Sequence, residues 1–339
     1  MALTAVKTFV RRAVRRAGYE LVPTARPDLK YLAPSHSDDV ALPQGAGAEL
    51  RLDNPRLVAL RDRYRRCELP MADRTMWQPS YLDDEVELAY FRGDNSYVWQ
   101  FRNIGDEARR TYYLYLRDVE ARDRAGLLDR LTEDGAFGCW TFDYPGHPMV
   151  SRDLLDSINE IYFLDEHVGL LDARDWTVLD IGAGYGRLAH RLLAAVPGIG
   201  SYLCVDGVPE STFLCDYYLR FRGVDERAEV VPLDELTTRL CERHVDLAIN
   251  IHSFSEMSTS AIAAWLDVVR RSGAQWLLVV PNDNDRLLSF EAGGTRREFG
   301  PLMEEHGYEL AVRAPIFADV TMGEMTGMRY HFFLYRRSA

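Results

Sequence analysis

The segment Val178-Leu-Asp-Ile-Gly-Ala-Gly-Tyr-Gly-Arg-Leu188 constrains this chain more than any other. A short apolar run ends in Asp180, three glycines follow at alternate positions (Gly182, Gly184, Gly186), and a helix-periodic stretch begins at Arg187. Glycines let a backbone turn tightly, approach a ligand closely and aim its amides from a helix start. A dinucleotide fingerprint needs G-x-G-x-x-G, whereas here Arg187 stands at the later position, and the Lys and Ser/Thr of a phosphate-binding P-loop are missing. The D-x-G-x-G-x-G spacing suits a ligand without pyrophosphate whose amino-acid tail lies over the loop, with Asp180 facing its ammonium.

From about residue 151 the chain alternates strand-like and helix-like runs, the pattern of a parallel sheet covered on both faces. Strands are expected at Thr177–Ile181, Ser201–Val205, Glu229–Val231, Asp246–Ile251, Trp276–Val280, Glu309–Arg313 and His331–Tyr335, with helices such as Arg187–Ala195 and Ser260–Ser272. Ser151 is the expected N-cap of a helix running to Leu164. The last two strands, with no helix read between them, predict an antiparallel hairpin at the sheet edge. In such sheets ligands bind beyond the carboxyl ends of the strands. Asp206, at the end of the second strand, can accept both ribose hydroxyls of a nucleoside. After the third strand, Leu233 or Asp234 is a candidate to flank an adenine.

The fourth strand runs into Ile249-Asn-Ile-His-Ser-Phe-Ser-Glu-Met257, which brings Asn250, His252, Ser255 and Glu256 to the carboxyl edge. A hydroxyl is a poor nucleophile unless its proton leaves as the new bond forms. His252 suits that task near neutral pH, with Glu256 to orient it or to accept a hydrogen bond from the substrate. Helix capping is the plainer role for both. Asp283 and Asp285, after the fifth strand, could ligate a divalent cation but read more simply as a solvated turn.

Residues 1–21 form an expected basic amphipathic helix, a candidate for weak contact with a membrane surface or another subunit. Residues 22–55 read as a linker, and 56–150 as a helical, aromatic-rich acceptor or lid domain containing a helix over Asp106–Leu131. Its aromatic runs, around Trp77, Tyr97 and Trp140, suit either a wall that stacks on a ring or sugar face, or simply a core. The net charge of −12 argues against a nucleic-acid partner. Five scattered cysteines without a C-x-x-C pair indicate neither a disulfide framework nor a zinc site, and no apolar run reaches the ~20 residues that span a bilayer. A cytoplasmic homo-oligomer is expected.

Over residues 150–339 the chain resembles class I S-adenosylmethionine-dependent methyltransferases. Ser151-Arg-Asp-Leu-Leu-Asp-Ser157, the glycine loop and Asn250-Ile-His-Ser-Phe-Ser-Glu-Met257 together resemble the sugar O-methyltransferase family of bacterial natural-product and surface-glycan gene clusters. The resemblance implies a Rossmann-like domain that binds S-adenosyl-L-methionine, preceded by an acceptor-binding lid. It also implies that Arg152 reaches the cofactor carboxylate. The expected acceptor is a sugar hydroxyl of a glycosylated natural product, nucleotide sugar or glycan. A polyketide, aromatic or lipid-linked hydroxyl is the alternative, and a catalytically silent partner protein a more distant one. A divalent metal is not favoured.

Overall fold

The computed structural model describes residues 42–79, 82, 86–93, 97, 105–241 and 243–338. The expected N-terminal basic helix and the first part of the linker lie outside the described residues.

Before the sheet come helix α1 (Pro55–Arg65), entered through Pro55 and capped by Asn54, and α2 (Gly105–Arg122). The helix expected over Asp106–Leu131 is interrupted after Arg122. There the Asp123 carboxylate accepts the backbone N–H groups of Leu127 and Leu128 at 2.7 and 3.1 Å, and a new short turn starts after Gly126. A two-residue hairpin pairs Thr141–Phe142 with Val150–Ser151. It delivers the chain to α3 (Arg152–Val168), whose N-cap Ser151 accepts the N–H of Leu154 at 3.1 Å.

Seven strands then form one sheet: β1 (Thr177–Ile181), β2 (Ser201–Val205), β3 (Ala228–Val231), β4 (Leu247–Ile251), β5 (Trp276–Val280), β6 (Tyr308–Pro315) and β7 (His331–Arg337). The order is β3-β2-β1-β4-β5-β7-β6. β1 to β5 pair in parallel, and β7 runs antiparallel to both β5 and β6. The crossovers carry α4 (Arg187–Ala195), α5 (Pro209–Phe221), α6 (Thr259–Arg271) and α7 (Gly300–Glu305), and α8 (Val320–Thr326) precedes β7. This is a Rossmann-like α/β fold.

The C-terminal region differs from a simple edge hairpin in two respects. A helix does lie between the last two strands, and β7 inserts between β5 and β6 so that β6 becomes the edge. The inner strands are apolar throughout because each face has its own cover. Val178, Ile249 and Leu278 pack with α3 to α5, while Leu179, Ala248 and Leu277 pack with α6 and α7. Leu57, Phe91, Leu116 and Phe137 from the first 150 residues join the first of these clusters. Among the described residues no helix is long and apolar enough to cross a membrane.

Candidate active site

The carboxyl ends of β1, β2 and β4 open into a cavity of about 600 Å³, within the range of small-molecule sites. Met71, Asp73, Arg74, Met76, Trp77 and Tyr97 wall it from the N-terminal side, and α3 contributes Arg152, Asp153 and Asp156. Asp180, Gly182, Gly184, Asp206, His252 and Glu256 all line this cavity.

The loop after β1 is held from behind. Gly182 adopts φ 70°, and a Cβ there would sit 2.1 Å from Ser253 Oγ, so only glycine fits. Asn250 is fully buried: its amide donates to the Ile181 carbonyl (2.9 Å) and to Ser253 Oγ (2.5 Å), while its oxygen accepts the N–H of Phe254. Asn250 thus supports the loop and does not face the cavity. Gly186 is likewise off the wall; it starts α4 and faces Cys215 and Leu219.

Asp180 receives a hydrogen bond from Tyr202 (2.8 Å), and burial pushes its carboxyl up to about 6 against the pull of Tyr202 and Arg187. Asp206 accepts the N–H groups of Val208 (2.8 Å) and Gly184 (3.0 Å). Burial nonetheless raises it to about 7, because the two amides only partly offset the loss of water. Leu233 lies elsewhere. It is fully buried, its N–H donates to the Tyr64 hydroxyl at 2.8 Å, and it forms no part of the cavity wall. Tyr64, at the end of α1, fills the gap between the ends of β2 and β3.

His252 sits at φ 68°, a conformation strained for a side-chain-bearing residue, with its N–H on the Val280 carbonyl at 2.6 Å. Its ring lies 5.4 Å from that of Tyr330, and Nδ1 is buried without a partner among the described residues. Burial, then Arg152 and Arg187, lower its basicity to about 3, so the imidazole is neutral at physiological pH. Glu256 does not orient it. The turn Ser253–Glu256 directs the Glu256 carboxylate instead to Trp77 Nε1 (2.8 Å) and Asn282 Nδ2 (2.9 Å), and the Thr75 hydroxyl donates to its carbonyl. Burial raises the Glu256 carboxyl, opposed by these two donors.

Arg152 lines the cavity and donates to Asp156 at 3.2 Å. Arg187 is bound through both terminal nitrogens to Glu160 at 2.8–2.9 Å. Asp283 and Asp285 lie on the turn after β5, paired with Arg296 and Arg313 respectively. Among the described residues no three His, Cys, Asp or Glu side chains are grouped to hold a metal ion.

Sequence reasoning missed a buried cluster behind the glycine loop. Arg92, fully buried, donates to Glu133 (2.8 Å), Asp153 (3.3 Å) and the Tyr185 hydroxyl (3.2 Å), and Tyr185 in turn donates to Asp153. Nothing local to Arg92 signals this. Trp77 was legible as part of an aromatic run, although its partner was not. Tyr97 adds a second ring at 5.9 Å and donates to Ser211.

No protein-family profile and no curated protein matches the chain. Solved structures resemble part of it. The mitomycin 7-O-methyltransferase MmcR aligns at 19% identity over 54% of this chain and 57% of its own, with a TM-score of 0.37. The chain thus spans little more than half of that relative. The [4+2]-cyclase SpnF aligns at 14% identity over 68% and 95%, with a TM-score of 0.41. A SAM-dependent methyltransferase from Aquifex aeolicus aligns at 18% identity over 53% and 97%, with a TM-score of 0.37. These are likenesses of fold.

Proposed function

We propose that this chain is an S-adenosylmethionine-dependent O-methyltransferase acting on a sugar hydroxyl of a small glycoside, nucleotide sugar or glycan. The observation that carries this reading is the pairing of Asp206 with Gly184 beside Asp180 on one cavity wall. It offers a carboxylate for vicinal ribose hydroxyls and a second for an ammonium, which fits an amino-acid-tailed nucleoside. Arg152 is the cation on the same wall for that tail's carboxylate. When bound, the cofactor supplies an electrophilic sulfonium methyl.

The chain's own part is alignment and proton handling. Glu256, prealigned by Trp77 and Asn282, accepts a hydrogen bond from the acceptor and helps fix its orientation. The His252 imidazole, which lines the cavity, takes the proton of the hydroxyl as the carbon–oxygen bond forms. Because the proton is taken only as the new bond forms, a neutral, weakly basic imidazole suffices for His252 in this role. Trp77 and Phe290 on the acceptor side, next to the Glu256 carboxylate and the Asn282 amide, support a sugar: flat rings cover its apolar face while polar groups meet its hydroxyls.

The test is calorimetric binding of S-adenosylmethionine, followed by a screen of glycosides against their aglycones with labelled cofactor. Methyl transfer to the glycoside alone is expected. Transfer to the aglycone would move the acceptor to the non-sugar class, and absence of cofactor binding would overturn the reading.

A further inference from the structure

The cavity has two ends, and the order of the strands tells them apart. β1 and β4, with Asp180 and His252, lie on one side of β2, and β3 lies on the other. If Asp206 at the tip of β2 takes the ribose, the amino-acid tail extends towards β1 and the purine must extend towards β3.

The β3 end is already occupied. The Leu233 N–H is bound by Tyr64, and Asp234 is bound through both oxygens by Arg63 at 2.7–2.8 Å. Neither is available to a purine. What faces the cavity there comes from the N-terminal side. The Met71 carbonyl would lie 2.6 Å from a Cβ at Gly207, so the backbone at Met71 presses directly on the loop that follows Asp206. Arg74 ties this segment to the buried Glu210 on α5 at 3.5 Å, and Arg61 of α1 reaches the same carboxylate at 2.6 Å. Next to Arg74 in the chain, Asp73 lines the cavity with an exposed side chain, and no described residue bonds its carboxylate.

We infer that the base end of the nucleoside site is built by the segment Met71–Arg74, and that the Asp73 carboxylate accepts the exocyclic 6-amino group of the purine. This rests on the cofactor reading above and moves base recognition from the β3 loop to a segment that precedes the sheet. A carboxylate there selects a purine that donates at position 6.

The experiment measures binding by calorimetry, with S-adenosylhomocysteine and with the analogue bearing hydrogen in place of the 6-amino group. The intact protein is expected to prefer S-adenosylhomocysteine by about tenfold, the worth of one hydrogen bond to a charged acceptor. Asp73→Ala is expected to lower S-adenosylhomocysteine to the level of the analogue and to leave the analogue unchanged; Asp73→Asn, which keeps an acceptor oxygen, should retain part of the preference. An Asp73→Ala protein that keeps the full preference, or that weakens both ligands alike, would overturn the assignment. If the intact protein binds neither ligand, the cofactor reading fails and this assignment fails with it.

Discussion

The backbone N–H of Gly184 donates to the side chain of Asp206 at 3.0 Å, so the glycine loop and the acid at the tip of β2 hold each other in place. The two features on which the proposed nucleoside site rests therefore form one unit. Preassembly of this kind reduces the ordering that binding must otherwise impose.

That unit titrates. Asp206 and Asp180 stand at about 7 and about 6, both raised by burial. Ribose hydroxyls and an ammonium would favour the ionised forms, so the affinity expected from the proposed site is highest above pH 7 and falls as the pH drops through both values. S-adenosylhomocysteine should bind at least tenfold more weakly at pH 5.5 than at pH 8. Asp206→Asn should bind weakly throughout and with a flatter profile. A constant dissociation constant in the intact protein would refute this.

Gly182→Ala should lose about 1–3 kcal/mol of stability and most cofactor affinity, because its Cβ meets Ser253 Oγ and Cβ at 2.1 and 2.4 Å. Ser253→Gly removes both clashing atoms. The double variant should recover part of the thermal midpoint lost in Gly182→Ala; simple additivity of the two losses would show that the clash is not the cause.

His252→Ala should reduce kcat by about 10² to 10⁴ and leave S-adenosylhomocysteine binding within twofold. Because the imidazole is held at about 3, no acid limb from His252 is expected between pH 5 and 8. Wild-type turnover in the variant would remove His252 from the mechanism.

Trp77→Phe deletes one of the two side-chain donors on Glu256. That donor favours the ionised carboxylate, so its loss raises the Glu256 carboxyl further and moves the acid limb of kcat/KM to higher pH. A drop of about tenfold in kcat/KM is expected, with cofactor affinity unchanged. An unmoved pH profile would mean that Glu256 is not used in turnover.

Arg92→Met leaves Glu133 and Asp153 buried with less compensation, which should cost about 3–5 kcal/mol in chemical denaturation. A loss below 1 kcal/mol would show that the cluster is not structural.

Much of the fold was legible because it is written locally. β1, β2 and β5 are short apolar runs buried on both faces, and their ends in the sequence coincide with their ends in space. The break after Arg122 turned on one side chain, Asp123, which competes for the backbone as short acids do. The insertion of β7 and the exposed helix α8, none of whose residues is buried, leave no periodic trace. In the site, the glycine loop and Asp206 were visible because spacing and strand ends locate them. Leu233 was misplaced because Tyr64, 169 residues away, takes its amide. Glu256 acquired a different neighbour because Trp77 lies 179 residues away. Tertiary partners at such separations carry no local signature.

Among the described residues, β6 is bonded to the sheet through β7 and no other strand. Any excursion that frees β7 from β5 must also release β6 from the sheet or carry the two away as a hairpin. The amides that bind β7 to β5 therefore set the lifetime of the whole edge. In native-state hydrogen exchange, β6 can be more labile than β7, but its protection cannot outlast that of the hairpin to which it belongs.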